Sequence, residues 1–326
     1  MRPKRRRTRP LAALAAVAAV LLTGCAGTPD PTADGGLPTA APPAPDVVDG
    51  QFYRPQTLRF ASISGADEES SAARLAPIVD HLADEIGMEV EFIETTDYSS
   101  VIEGMRAGRV DVAVFGPFSY VIASSEANAT ALVAQPNQET GALGYKSLLI
   151  TRADSGITSV EQLRDRSMAF ADPASTSGNL FPRLILANAG ITDVEGYFSE
   201  TSFSGGHDAS LVAVAHGQVD AAGVCDTCIA RFYREGLADP ADIRVIAESE
   251  PIPPSPLSAR ADLDPALRQQ ITDVYLRLVT EHPELVQAAS SLDEPPTHPY
   301  QVVTDDQYDV VRELAEKLDV DLAELG

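Results

Sequence analysis

The sequence predicts an α/β protein built of two similar lobes around a cleft. Three observations carry this. Short strands alternate with amphipathic helices, which gives a parallel or mixed sheet covered by helices. The hexapeptide Gly108-Arg109-Val110-Asp111-Val112-Ala113 returns 109 residues later as Gly217-Gln218-Val219-Asp220-Ala221-Ala222. The chain leaves the first lobe near residue 150 and returns near 250, so two segments cross between lobes and make a hinge. A length of 326 residues suits two domain-sized units.

The elements follow in order. Leu58–Ile63 is apolar and strand-like. Ser70 or Ser71 caps a helix with Leu75, Ile78, Val79, Leu82 and Ile86 on one face and Gly87 as its stop. Met88–Ile93 alternates apolar and acidic residues, as a strand does. A second helix carries Val101, Ile102 and Met105 and stops at Gly108, and Val110–Phe115 is the next strand. Each hexapeptide reads as a helix ended by Gly at C′, after which the chain turns into a sheet. Tyr145–Thr151 is a strand leading out of the first lobe. Ser159–Leu163 opens a short helix, Ser167–Phe170 is a strand, and Ile243–Ala247 leads back. Glu250–Pro256 is a stiff crossover, because each Pro fixes its own φ and restrains the residue before it. Residues 264–290 and 305–325 read as helices. Lobe 1 is therefore 57–150 plus 251–326, and lobe 2 is 151–250.

The N-terminus reads as an address. Residues 1–10 are basic and 11–23 are apolar or small, a signal-peptide pattern too short for a mature membrane span. Residues 1–24 are the leader. Leu22-Thr23-Gly24-Cys25 resembles a bacterial lipobox, with Cys25 as the lipidated residue. Residues 25–56, rich in Pro, Gly and Ala, are a flexible tether. The protein is thus expected at the cell membrane, lipid-anchored on the extracytoplasmic face.

At 44% hydrophobic and 22% charged, the composition is ordinary for a globular protein. The formal charge is −24, yet six of the 24 basic residues fall within the first nine positions. The remainder carries 18 basic residues against 48 acidic ones, or −30. That excludes nucleic acid as a partner, since phosphate contacts need a basic face. Any anion site must be local.

Two segments can make one. In Asp172-Pro173-Ala174-Ser175-Thr176-Ser177-Gly178-Asn179-Leu180 a strand gives way to three hydroxyl residues, a Gly and an apolar helix. Free N–H groups at a helix start, with hydroxyl donors beside them, cradle an anion without Lys or Arg. The bland alternative is an ordinary Ser/Thr cap. In Gly205-Gly206-His207-Asp208 the glycines allow close backbone approach, and His207 is displayed at the start of a helix. The alternative is a loop His paired with Asp208. Tyr98, Tyr120 and Tyr145 sit at turns or strand starts and can offer an apolar wall plus a phenol donor, or can be core.

Together DYSSVIEGMRAGRVDVAVFGPFSY, GYKSLLI, ADPASTSGNLFP and GGHDASLVAVAHGQVDAAGV resemble, in this order and spacing, the phosphate/phosphite/phosphonate-binding proteins of ABC importers. The likeness covers roughly residues 57–260. It implies a two-lobed periplasmic-binding-protein fold of type II topology that closes on its ligand. It also implies a membrane permease and ATPase as partners, no cofactor, no metal and a monomeric receptor. By this resemblance Ser175, Thr176, Ser177, His207, Tyr98 and Tyr145 hold the oxyanion, while Asp208 meets a ligand amine or orients His207. The family's crossover often reads Ile-Pro-x-Asp-Pro, where the Asp accepts from a protonated ligand oxygen. Here Ser255 stands in its place, which favours a fully ionised or larger substituted oxyanion.

Cys225-Asp226-Thr227-Cys228 stays open at this level. Outside the cytoplasm a local disulfide fits, as does tuning of the pocket or a redox pair. A metal site needs four ligands, and the sequence offers neither a second pair nor a neighbouring His. Two other functions are carried forward: a surface thiol–disulfide oxidoreductase using Cys225 and Cys228, and a ligand sensor for a membrane kinase. There is no P-loop, HExxH or GxSxG pattern.

Overall fold

The computed structural model describes residues 46–48, 51–63, 68–95 and 97–325. The leader, Cys25 and most of the tether lie outside the described residues. No helix among the described residues is long and apolar enough to cross a membrane.

The chain begins with a ribbon of β1 (Asp46–Val48) and β2 (Phe52–Arg54). The expected tether end at residue 56 is corrected here. Tyr53 is buried, its N–H donates to the Asp262 carbonyl at 2.9 Å, and its hydroxyl donates to Asp111 at 2.6 Å. The packed body therefore starts at about Phe52, because one aromatic ring in this polar stretch finds a carboxylate in the first lobe.

The first lobe runs β3 (Thr57–Ile63), α1 (Glu68–Ile86), β4 (Glu89–Thr95), α2 (Tyr98–Arg106), β5 (Val112–Val114), α3 (Pro117–Glu126) and β6 (Ala129–Ala134). The second runs β7 (Ser147–Arg152), β8 (Ser167–Phe170), α4 (Phe181–Asn188), α5 (Val194–Tyr197), β9 (Glu200–Phe203), α6 (His207–Ala215), β10 (Ala221–Cys225), α7 (Asp226–Arg234) and β11 (Ile243–Glu248). The chain returns through β12 (Pro256–Arg260), α8 (Pro265–Glu281), α9 (Pro283–Ala289), β13 (Gln301–Val302) and α10 (Asp309–Lys317). Ser70 and Ser71 lie inside α1 rather than at its cap. Pro283 splits the expected helix 264–290 in two, since its ring cannot continue α8.

The sheets have matching orders, β4-β3-β5-β12-β6-β13 and β9-β8-β10-β7-β11. In each, the first three strands are parallel, and the strand that crosses from the other lobe lies antiparallel beside them. Strand β7 belongs to the second sheet, so the crossing falls at Tyr145 rather than near 150. There Tyr145 and Ile252 exchange backbone hydrogen bonds of 3.1 and 2.8 Å, tying the two crossing segments together.

Each sheet is covered on both faces. Leu58, Phe60, Ile78, Leu82 and Tyr275 pack under α1 and α8, while Val101, Ile102, Met105 and Phe118 pack under α2 and α3. In the second lobe Leu149, Leu186 and Val194 fill one side and Leu211, Val214, Ile229 and Phe232 the other. Burial of each such side chain contributes about 1.5–3 kcal/mol, which fixes both sheets and leaves the strand-to-helix turns at the lobe junction as the places where polar groups can gather.

The hexapeptides form the same corner twice. Gly108 and Gly217 take φ +68° and +66°, as helix-ending glycines do. Asp111 then accepts from the Arg59 N–H on β3, and Asp220 from the Ser167 N–H on β8, both at 2.9 Å.

Candidate functional site

The site is assembled from turns at the lobe junction. After β8 the chain bends at Asp172, whose carboxylate accepts from the Ala174 N–H at 2.7 Å. Ser175 caps the wide π-type turn Thr176–Leu180, accepting from the Gly178 N–H at 3.1 Å. The turn is locked from behind, because Ser147 Oγ donates to the Ser177 carbonyl at 2.7 Å and the Ala171 N–H to the Gly178 carbonyl at 3.0 Å. All three hydroxyl residues are buried.

Gly178 is fixed by close approach. A Cβ there would lie 2.4 Å from Ala171 Cβ, 2.8 Å from Ser175 Oγ and 2.9 Å from His207 Cε1. The missing side chain lets the imidazole at the start of α6 reach the turn. His207 Nε2 stands 3.4 Å from Ser175 Oγ and 3.5 Å from Ser177 Oγ. Burial pulls the imidazole down to about 4, against the opposing pull of Asp208 and the Gly223 carbonyl. It is therefore neutral at pH 7, with one ring nitrogen donating and the other accepting, among hydroxyls that can each donate or accept.

The first lobe supplies the other wall. The Tyr98 phenol lies against Ser175 and Tyr145, and burial pushes it well above its ordinary range. The Tyr145 phenol faces Ser177, Thr176 and Ser255 and is pushed up to about 12, mainly by burial. Both are neutral donors at any physiological pH. Thr176 crosses the cleft, its Oγ1 accepting from the Phe118 N–H at 2.8 Å and so capping α3 of the other lobe. Asp172, raised by burial, faces the Tyr98 N–H across the same boundary.

Tyr98, Tyr145, Ser175, Thr176, Ser177, His207 and Ser255 are thus brought together. Asp208 is buried in the first turn of α6, beside His207 and within electrostatic reach of Arg231. Tyr120 is the correction. It is fully buried, its ring packs on Tyr308 at 4.6 Å, and its hydroxyl donates to Asp305 at 2.7 Å, so it is a core residue of lobe 1.

Sequence reasoning missed three features. Asp172 and the α3 start were unrecognised, although the Gly-Pro before α3 marks a helix opening at a strand end. The third is the setting of the cysteines. Cys225 and Cys228 form a disulfide with Cα atoms 5.1 Å apart, and their sulfurs lie with a His207 nitrogen inside a 4.8 Å group. A neighbouring His does exist, brought there by the packing of α6 against β10. With the sulfurs joined, the trio offers one imidazole rather than a metal cage.

Two sheets of this strand order, joined by two crossing segments and meeting over a cradle of uncharged donors, define a periplasmic binding protein of the type II kind. The chain belongs to the phosphonate periplasmic substrate-binding protein family of ABC transporters, whose pattern matches residues 60–308. It is 32% identical to the phosphate-import protein PhnD of Mycolicibacterium smegmatis over 81% of this chain and 80% of that protein. It is 29% identical to the phosphonates-binding periplasmic protein of Escherichia coli over 68% of this chain and 66% of that protein. A binding-protein component of an ABC phosphonate transporter from Pseudomonas aeruginosa superposes with a TM-score of 0.71 at 27% identity, covering 81% of this chain and 86% of that structure. The oxidoreductase and sensor readings find no support in these relatives.

Proposed function

We propose that the protein captures a phosphorus oxyanion in the inter-lobe cleft and delivers it to a membrane permease driven by an ATPase, without covalent chemistry. The observation that supports this best is the convergence of Ser175, Ser177 and His207 Nε2 from one lobe with Tyr98 and Tyr145 from the other. The four hydroxyls can each donate to an oxygen, and the imidazole beside them is neutral. A cradle of neutral donors in a protein of charge −24 binds an anion through local hydrogen bonds rather than through a long-range field.

Closure rotates the lobes about the Tyr145–Ile252 crossing, and Thr176 meeting α3 is the contact that closure makes. Ligand in the cradle favours the closed form by contacting both lobes at once. Asp208 orients His207. Ser255 lets a fully ionised oxyanion approach without a carboxylate opposite it. The receptor acts as a monomer, held at the outer membrane face by lipid on Cys25. The named relatives import phosphate and bind phosphonates respectively, and the ligand here belongs to that class.

A thermal-shift screen with phosphate, phosphite, methylphosphonate and sulfate tests the reading. A phosphorus oxyanion at one hundred times its Kd adds about 2.7 kcal/mol of stability, and Ser255→Asp shifts the affinity profile toward lower pH. No shift with any phosphorus oxyanion contradicts the proposal.

A further inference from the structure

A cavity of about 580 Å³ opens directly off the cradle, sharing Tyr145 and Ser255 with it. Pockets of roughly 300–1,000 Å³ take drug-sized ligands, whereas phosphate or methylphosphonate has only five heavy atoms. The space is not an open jaw. The lobes already touch, through Phe118 and Thr176 at 2.8 Å and, at the cavity wall, through Arg234 Nε donating to the Ser291 carbonyl at 2.6 Å with Ser291 Oγ donating to Glu235 at 2.7 Å. The volume therefore persists with the lobes in contact.

Its walls have two characters. On the lobe 1 side Leu75, Ile78 and Val79 of α1, with Leu257 and Tyr275, present apolar surface. On the lobe 2 side lies α7, with Asp226, Thr227, Ala230, Arg231 and Arg234, and Glu139 adds a second carboxylate. Arg74 stands close enough to Arg231 that the two cations disfavour each other, and both reach Glu235, at 3.7 and 3.4 Å. The end of the cavity nearest the cradle carries Ser255, with Asp226 within electrostatic reach of Tyr145.

We infer that this cavity is a second compartment of the ligand site, and that the preferred ligand is a phosphonate or phosphate monoester with an aromatic or similarly bulky apolar organic group. The oxyanion sits among Ser175, Ser177 and His207, and the organic group lies along α1 toward Tyr275. The inference rests on the oxyanion reading above and goes beyond it by naming the substituent.

The test is calorimetric titration of the full chain with phosphate, methylphosphonate, aminoethylphosphonate and phenylphosphonate. Phenylphosphonate is expected to bind at least tenfold more tightly than methylphosphonate. Ala230→Trp, a half-buried position on the cavity wall, fills the space. It should remove the phenyl advantage while leaving the methylphosphonate Kd within about threefold, which also shows that the variant is folded. Methylphosphonate binding with phenylphosphonate equal or excluded overturns the inference and leaves the oxyanion reading standing. Failure of all four to bind overturns that reading as well.

Discussion

The two lobes build the same corner and spend it differently. After Asp111 the chain enters β5 and then α3, whose start is capped by Thr176 from across the cleft. After Asp220 it enters β10 and then α7, whose start carries the Cys225–Cys228 disulfide and opens onto the cavity. Equivalent helix starts thus face one cleft. One is closed by the opposite lobe, and the other is left as wall for a ligand. The corners differ in burial too. Asp111 is fully buried and takes both Arg59 nitrogens, at 3.0 and 2.9 Å, with Tyr53 at 2.6 Å. Asp220 is half-exposed and bonds the Ser167 N–H and hydroxyl at 2.9 and 3.0 Å. The comparison teaches that lobe 1 ties its corner with a buried ion pair, whereas lobe 2 ties its half-exposed corner with an amide and a hydroxyl.

Asp111→Ala should break that contrast most severely. It strands a buried guanidinium, a loss of about 3–5 kcal/mol, read in a urea melt. Asp220→Ala should cost about 1 kcal/mol. Equal losses would show that the corners are energetically alike.

Gly178→Ala comes next. The added methyl collides with Ala171, Ser175 and His207, and oxyanion affinity should fall at least a hundredfold. Gly116→Ala meets Thr176 Oγ1 at 3.0 Å from the other lobe and should weaken binding about tenfold or less. A milder effect at 178 than at 116 would put the critical approach on the wrong side of the cleft.

Acid should act on lobe 2 through His207. Its folded value of about 4 lies below the ordinary 6.5, so the neutral ring's contribution is complete above pH 6.5 and drains away as pH falls toward 4. The full difference is about 3 kcal/mol. His207→Gln should flatten that part of the stability–pH curve, and an unchanged curve would assign the acid sensitivity elsewhere.

A modest effect is expected at the cysteines. The closed loop is short, so Cys225→Ser with Cys228→Ser should cost about 2 kcal/mol or less while oxyanion binding survives. Loss of binding would instead make the disulfide part of the cradle.

Much of this was legible in the sequence. The strand–helix alternation, the repeated Gly-x-Val-Asp corner, and the Ser175–Ser177 and His207 segments are local patterns, and local patterns survive folding. What was not legible depends on pairings far apart in the chain. Tyr120 reads like a cleft residue until Asp305 takes its hydroxyl, 185 positions away. Tyr53 reads as tether until Asp111 accepts from it. His207 meets the cysteines because α6 packs against β10, and no spacing rule within the Cys225–Cys228 segment could announce that.

The account stands on His207 and the serine hydroxyls gripping a phosphorus oxyanion together. Its most direct test is calorimetric titration of phosphate and methylphosphonate into the full chain and into Ser177→Ala and His207→Ala, each checked for an unchanged fold by circular dichroism. The account predicts one-to-one binding of at least one oxyanion in the parent protein and a loss of tenfold or more in both variants. Binding that persists at parental strength in either variant would contradict it.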